Sequence, residues 1–230
     1  MKIIFTNTMG VPEEYRPQPA SRYVPDWYKD ITKFNKSNSP KDANIYNSGT
    51  GIDGSAISVK ICSPFYDALT SGYFAILSED IEILINDKGV PDIKWESDEF
   101  LFNRLPMVEI PIPEFHHPIA FTYRMSFGVE LPKGYGAIYI TPQNHFNLPF
   151  ITVSGIIDND KFNTAGLMPF FLKEGFTGLI EQGTPFVQII PFKKEDWESE
   201  IVLYKQEEIL NRYYTSGENL RKPGGGVYKK

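Results

Sequence analysis

Apolar and polar positions alternate with a period of two through the middle of the chain. In "AISVKICSPF" (56–65) Ile57, Val59 and Ile61 alternate with polar neighbours, and "GYFAILSEDIEILIND" (72–87) reads as two strand-like runs. Alternation of this kind turns one face of a strand toward a core. "VPDIKWES", "PIAFTYRMSFGVELP", "YGAIYITP", "PFITVSGIID", "TGLIEQG" and "PFVQIIPF" carry the pattern to residue 192, with turns at "NDKG", "LPKG" and "EQGTP". Gly134 suits positive φ, so the runs on either side of "LPKG" are expected to form a hairpin. Many short strands at short spacing predict a sandwich or barrel, not a parallel βαβ fold.

The two ends differ from this middle. Over 194–214, Trp197, Ile201, Tyr204 and Glu208 recur at helical spacing, Val202, Ile209 and Tyr213 more loosely, and acidic residues fill the first turn. Pro12, Pro17, Pro19 and Pro25 forbid a long helix before Asp26 and favour an extended arm. "PDWYKDI" is expected to make one short helical turn, and "NKSNSPKDANIYNSGTGIDGS" a loop. The expected organisation is an arm and loop over 1–55, a β domain over 56–193, a helix over 194–214 and a flexible tail over 215–230. Tyr15, Tyr23, Trp27 and Tyr28 are the arm's candidate partner contacts, since aromatics on a proline-stiffened segment anchor at low entropic cost.

Composition narrows the function. The chain has 230 residues, 41% of them apolar, enough for one substantial core. A net charge of −6 argues against binding a nucleic-acid backbone. A single cysteine excludes an internal disulfide framework and fits a reducing compartment. No apolar run spans a bilayer, and "MKIIFTNTMG" lacks an adequate h-region, so neither membrane insertion nor a signal peptide is expected. Host cytoplasm is the default location, and a virion assembled there would share this composition.

Candidate chemistry is sparse. "SGTGIDGS" has glycines but no lysine and reads as a loop; "GGG" at 224–226, beside Arg221 and Lys222, is either a disordered tail or a closure over a triphosphate. His116 and His117 point to opposite faces of a strand, so no zinc site is expected and no metal ligand is assigned. Cys62 is either a small core residue or a nucleophile with His145 as base. Asp158 and Asp160 in "VSGIIDNDKF" share a face if the chain stays extended. They are a catalytic pair, a Mg²⁺ site, or the turn that ends the strand, and on spacing alone the turn stands ahead.

Four segments in order resemble the dUTPase and dCTP deaminase superfamily. They are "DALTSGYFAILSEDIEI" (67–83), "LPKGYGAIYITP" (131–142), "SGIIDND" (154–160) and "GLIEQGTPFVQII" (178–190). The resemblance implies a mainly β fold, a dUTPase-like β-clip or distorted jelly-roll barrel that assembles as a trimer. Most of the chain is also similar to a set of proteins from tailed phages, through "PASRYVPDWYKD", "CSPFYDALTSGY", "LPKGYGAIYITPQNHFNLPF" and "GTPFVQIIPFKKEDW".

Carried over residue by residue, the superfamily's water-positioning aspartate falls on Asp158. Its sugar-stacking tyrosine falls on Lys161, or on Phe162 with one insertion. Its metal-associated aspartate falls on Phe74 and its phosphate-holding Arg-Ser pair on Gln143 and Asn144; a deaminase-type acid has no counterpart near "AGLMPFF". The loss of metal carboxylate and phosphate arginine removes most of the electrostatic stabilisation that triphosphate chemistry requires. The expectation is therefore a non-catalytic, homo-oligomeric phage protein acting by binding or assembly, with another virion or host protein as a further partner. Two alternatives stand beside it. One is a deoxynucleotide-hydrolysing or -deaminating enzyme using Asp158 and Mg²⁺, with Asn144, His145, Asp160, Phe162 and Gln188 as ligand-facing candidates. The other is a nucleotide-sequestering protein.

Overall fold

The computed structural model describes residues 1–32, 34–35, 56–99, 101–104 and 110–221. Most of the expected loop (36–55) and the tail from 222, with its three glycines, lie outside the described residues. The chain divides into two units, Met1–Lys29 with Asp67–Lys194, and Asp30–Tyr66 with Glu195–Lys230.

In chain order the elements are β1 (Ile4–Asn7), β2 (Gln18–Pro19), α1 (Asp26–Asp30), β3 (Phe34–Asn35), β4 (Ala56–Ile57), α2 (Ser63–Thr70), β5 (Tyr73–Ile76), β6 (Ile81–Ile85), β7 (Pro91–Lys94) and β8 (Phe102–Arg104). They continue with β9 (His116–Arg124), β10 (Phe127–Glu130), β11 (Tyr135–Ile140), β12 (Phe150–Thr152), β13 (Gly155–Ile157), β14 (Leu167–Lys173), β15 (Gly178–Ile180), β16 (Pro185–Lys193) and α3 (Gln206–Arg221). The protein is mainly β, with antiparallel sheets and a C-terminal helix.

In the first unit a sheet ordered β13-β11-β16-β5-β2 supplies Phe186, and a sheet ordered β12-β14-β9-β8 supplies Phe150, Phe170 and Tyr123. Their rings meet: Phe186 lies 4.6 Å from Phe150, 4.7 Å from Tyr123 and 5.0 Å from Phe170 between centroids. All four are buried, so the core sits where β16 faces β12, β14 and β9. β6 forms a hairpin with β7, as "NDKG" predicts; Asn86 Oδ1 accepts from the N–H groups of Lys88 and Val90, and Gly89 has φ +73°.

Several expectations are corrected. Gly134 does take positive φ, but "LPKG" is not a hairpin turn: β10 pairs with β1, and β11 with β13 and β16. The turn carries the chain from one sheet to another. The run 56–65 holds only the short β4 before a 3₁₀ turn, and α2 starts at Ser63; Pro64 stands at its second residue, close to a helix start where a missing N–H costs nothing. The C-terminal helix starts at Gln206, not 194, and Glu208 Oε2 accepts from the Lys205 N–H in half a capping box. Ile201, Val202 and Tyr204 are branched or aromatic, and favour extended chain before it.

The extended arm of the N-terminal residues could wrap its own domain or reach a neighbouring subunit, and here it wraps its own unit. β1 pairs with β10 and β2 with β5. β5 is covered on both faces: Ala75 joins the main core, whereas Phe74 and Ile76 form a small cluster with Ala20, closed by Tyr15 and Tyr23. Tyr28 is also buried, and Trp27 packs on Phe146 with centroids 5.6 Å apart. The arm's aromatics are thus engaged within their own unit, because an uncovered Phe74 and Ile76 would leave apolar surface in water. Gly72, entering β5 with φ +71°, passes so close to β16 that a Cβ would lie 2.0 Å from the Ile189 carbonyl oxygen.

Because Phe186 touches three rings from the facing sheet, Phe186→Ala should cost about 3–5 kcal/mol, read as a lowered urea midpoint.

Candidate functional site

The strand β13 ends in a turn that its own backbone closes. The N–H groups of Lys161 and Phe162 both donate to the Asp158 carbonyl. Asn159, 1% exposed, sends its Nδ2 to the Val129 carbonyl, the Tyr139 hydroxyl and the Phe162 carbonyl, at 3.1, 3.0 and 3.3 Å. Burial pushes the Tyr139 hydroxyl up to about 12, so it stays protonated. Phe162 is exposed beyond this turn.

The chain does not stay extended at Asp158 and Asp160; the turn brings both carboxylates to Lys194. Its Nζ lies 2.6 Å from Asp160 Oδ1 and 3.2 Å from Asp158 Oδ1. Asp160 Oδ2 accepts from the Gly134 N–H at 2.8 Å, and the Lys194 N–H returns to the Gly134 carbonyl. The Asp160 side chain is 5% exposed, that of Asp158 49%. Hydrogen bonds from Lys194 and from the Gly134 N–H hold the Asp160 carboxyl below its ordinary value, and the bond to Asp160 raises Lys194. The place a divalent cation would take between two carboxylates is taken by an ammonium. Lys194 escaped sequence reasoning because it stands 34 residues from Asp160, in a run "FKKED" that reads as a strand end.

The other candidates gather elsewhere. Gln188 is fully buried in β16, its Oε1 accepting from the Gln143 N–H and its Nε2 donating to the carbonyls of Ala68 and Ser71. It holds the 141–149 loop to the end of α2 and offers no free donor to a ligand. In that loop Asn144 has φ +60°, Phe146 packs on Trp27, and the His145 ring meets Phe74 edge-on at 5.2 Å. Among the described residues His145 Nε2 is buried without a hydrogen-bond partner, and burial holds the imidazole below its ordinary value. Phe74 is fully buried and offers no ligand.

These groups do not form one site within the chain. Asp160 and Lys194 meet Gly134, just before β11, whereas Gln188 pairs with Ile140 at that strand's far end. Five residue rises separate those ends, roughly 17 Å. Cys62 is exposed and belongs to the second unit, His145 to the first.

A cavity of about 480 Å³ opens in a third place, lined by Glu79, Asp80, Glu96 and Glu99 with Met9, Val11, Pro12 and Leu101. Its lining contains no lysine or arginine. Glu79 accepts from the N–H groups of Glu96 and Ser97 and from the Ser97 hydroxyl, and Asp80 from the Gln182 N–H, so both carboxylates are tied to the backbone. Their field opposes a phosphate. No cluster of three or more metal-ligating side chains occurs among the described residues, and no helix among them is long and apolar enough to cross a membrane. No protein-family model matches the chain, and no curated protein does.

Two outcomes are expected. Lys194→Met should raise the Asp160 titration toward 3.8, followed by the carboxyl carbon resonance against pH. Because the folded value is depressed, the wild-type contribution is present above 3.8 and lost as pH falls through the lower folded value; the variant, which keeps only the Gly134 N–H, should show a smaller acid limb. For His145 the folded value is also depressed, so the unfolded chain takes this proton more readily. Stability should decline as pH falls through 6.5, and His145→Phe should flatten the decline in urea titrations.

Proposed function

We propose that this chain is a non-catalytic protein of dUTPase-like β-clip type that acts by binding or assembly as a homo-oligomer, in a phage-infected cytoplasm or on the particle. The observation that carries the reading is Lys194 seated between Asp158 and Asp160. Metal-assisted hydrolysis needs carboxylates with open electron pairs for a cation or an attacking water. Here an ammonium and a backbone N–H take the electron pairs of Asp160. Supporting it, Phe74 offers no ligand, Gln143 and Asn144 supply no charge for phosphate, and the cavity at Glu79 and Asp80 is acidic. Asp158 and the candidates at Asn144, His145 and Gln188 lie at opposite ends of β11, which also disfavours a nucleotide-sequestering pocket within one chain.

The test is incubation of the purified protein with dUTP and dCTP, with and without Mg²⁺, followed by product analysis and thermal melting. No turnover and no Mg²⁺-dependent shift are expected, whereas a ligand held at 100 times its Kd would add about 2.7 kcal/mol. Turnover that disappears in Asp158→Asn would sink the reading.

A further inference from the structure

The cavity beside Glu79 is built where several connections of the first unit meet. Residues 9–12 lie between β1 and β2, 78–80 between β5 and β6, Glu96, Ser97, Glu99 and Leu101 between β7 and β8, and Gln182 between β15 and β16. Glu79 and Asp80 fasten two of these connections through backbone N–H groups, and Gln182 Nε2 returns to the Ser78 carbonyl at 2.7 Å. Trp95 Nε1 donates to the Glu99 carbonyl at 2.8 Å and holds the turn that carries Glu96 and Glu99. The walls are tied together before anything binds, so little ordering is left for a ligand to supply.

Two features of this hollow have no use inside the chain. No hydrogen bond or ion pair among the described residues engages the carboxylates of Glu96 and Glu99. Ser78 lines the same hollow, and its Oγ is buried without a hydrogen-bond partner among the described residues. Carboxylates gathered around one space repel one another, and a buried hydroxyl seeks a partner. A cationic hydrogen-bond donor answers both needs.

The rest of the lining decides which cation. A hard divalent ion collects about six to eight oxygens, and no three metal-ligating side chains gather among the described residues. Met9, Val11, Pro12 and Leu101 meanwhile give the hollow an apolar wall. A bare ion would leave that wall wet, whereas an aliphatic stem covers it, as lysine and arginine stems do on apolar surface. We infer that this cavity binds an organic cation, an ammonium or guanidinium head carried on an aliphatic stem. The head would stand among Glu96, Glu99 and Ser78, and the stem along Met9, Val11 and Pro12. Its volume of about 480 Å³ lies within the range of small-molecule sites, about 300–1,000 Å³. The same head and stem occur in a free polyamine and in the lysine or arginine of another protein. This ligand class rests on the binding reading above and stands apart from the Asp158–Lys194 turn.

Isothermal titration calorimetry of the full chain with spermidine, and separately with a short arginine-containing peptide, tests this at low salt. Ammonium chloride and MgCl₂ at matched ionic strength serve as competitors. At least one of the two probes should saturate one site with a Kd below about 1 mM, weaken as salt rises, and resist both competitors. Spermidine alone would identify a free amine as the ligand, and the peptide alone a side chain of another protein. Glu96→Gln with Glu99→Gln should weaken binding at least about tenfold and leave the melting unchanged, because neither carboxylate has a partner in the fold. Val11→Lys, which sets an ammonium in the cavity, should abolish binding. No saturable binding of either probe, binding indifferent to both variants, or displacement by Mg²⁺ overturns the inference. Nucleotide turnover would sink the parent reading without altering these isotherms, so the two failures are distinguishable.

Discussion

The carboxamide of Gln188 is the interaction on which much of the first unit depends. β16 is central in its sheet, buried on both faces at Val187 and Gln188, so a polar side chain there must find every partner inside the protein. It does so by collecting the end of α2 on one side and the 141–149 loop on the other. Once that loop is fixed, His145 comes against Phe74, and Phe74 in turn sits in the cluster that the N-terminal residues cover. One buried amide thus couples three stretches distant in sequence, and removing its partners would leave a desolvated group costing about 1–3 kcal/mol.

The turn at Asp158–Asp160 is shaped without its carboxylates. Its geometry is set by Asn159, which reaches three acceptors from inside, and by backbone bonds to the Asp158 carbonyl. Neither interaction needs the carboxylates to be available. With Asp160 satisfied by Lys194 and the Gly134 N–H, the acidic pair is a fastening between the "LPKG" turn and the end of β16.

Local signals were legible in the sequence, and contacts between distant residues were not. Period-two runs located β5, β6, β9, β11 and β16, Asn86 and Gly89 located the β6–β7 turn, and Pro25 located α1. The "LPKG" turn misled because positive φ at Gly134 fixes a local bend and says nothing of which strand lies alongside. The start of α3 misled because Trp197, Ile201 and Tyr204 match a helical period by spacing, while their branched and aromatic character favours extended chain. Asp158 and Asp160 were visible as a pair, but their partner Lys194 follows a distant strand, β16. The candidates at Asn144, His145 and Gln188 were grouped with them because order along a chain cannot measure the length of β11.

The Lys194 fastening has a mechanical consequence. The C-terminal segment leaves the first unit at the residue that is clamped through its own N–H and its ammonium. Tension on that segment would therefore run along β16, which lies in antiparallel register with β11 from Gln188 to Lys193 and with β5 beyond. Strands loaded along their length must break many hydrogen bonds together, whereas strands pulled from the side open one bond at a time. A chain held by its C-terminal end would transmit force into a strand central in its sheet, resisting in shear before anything could unzip.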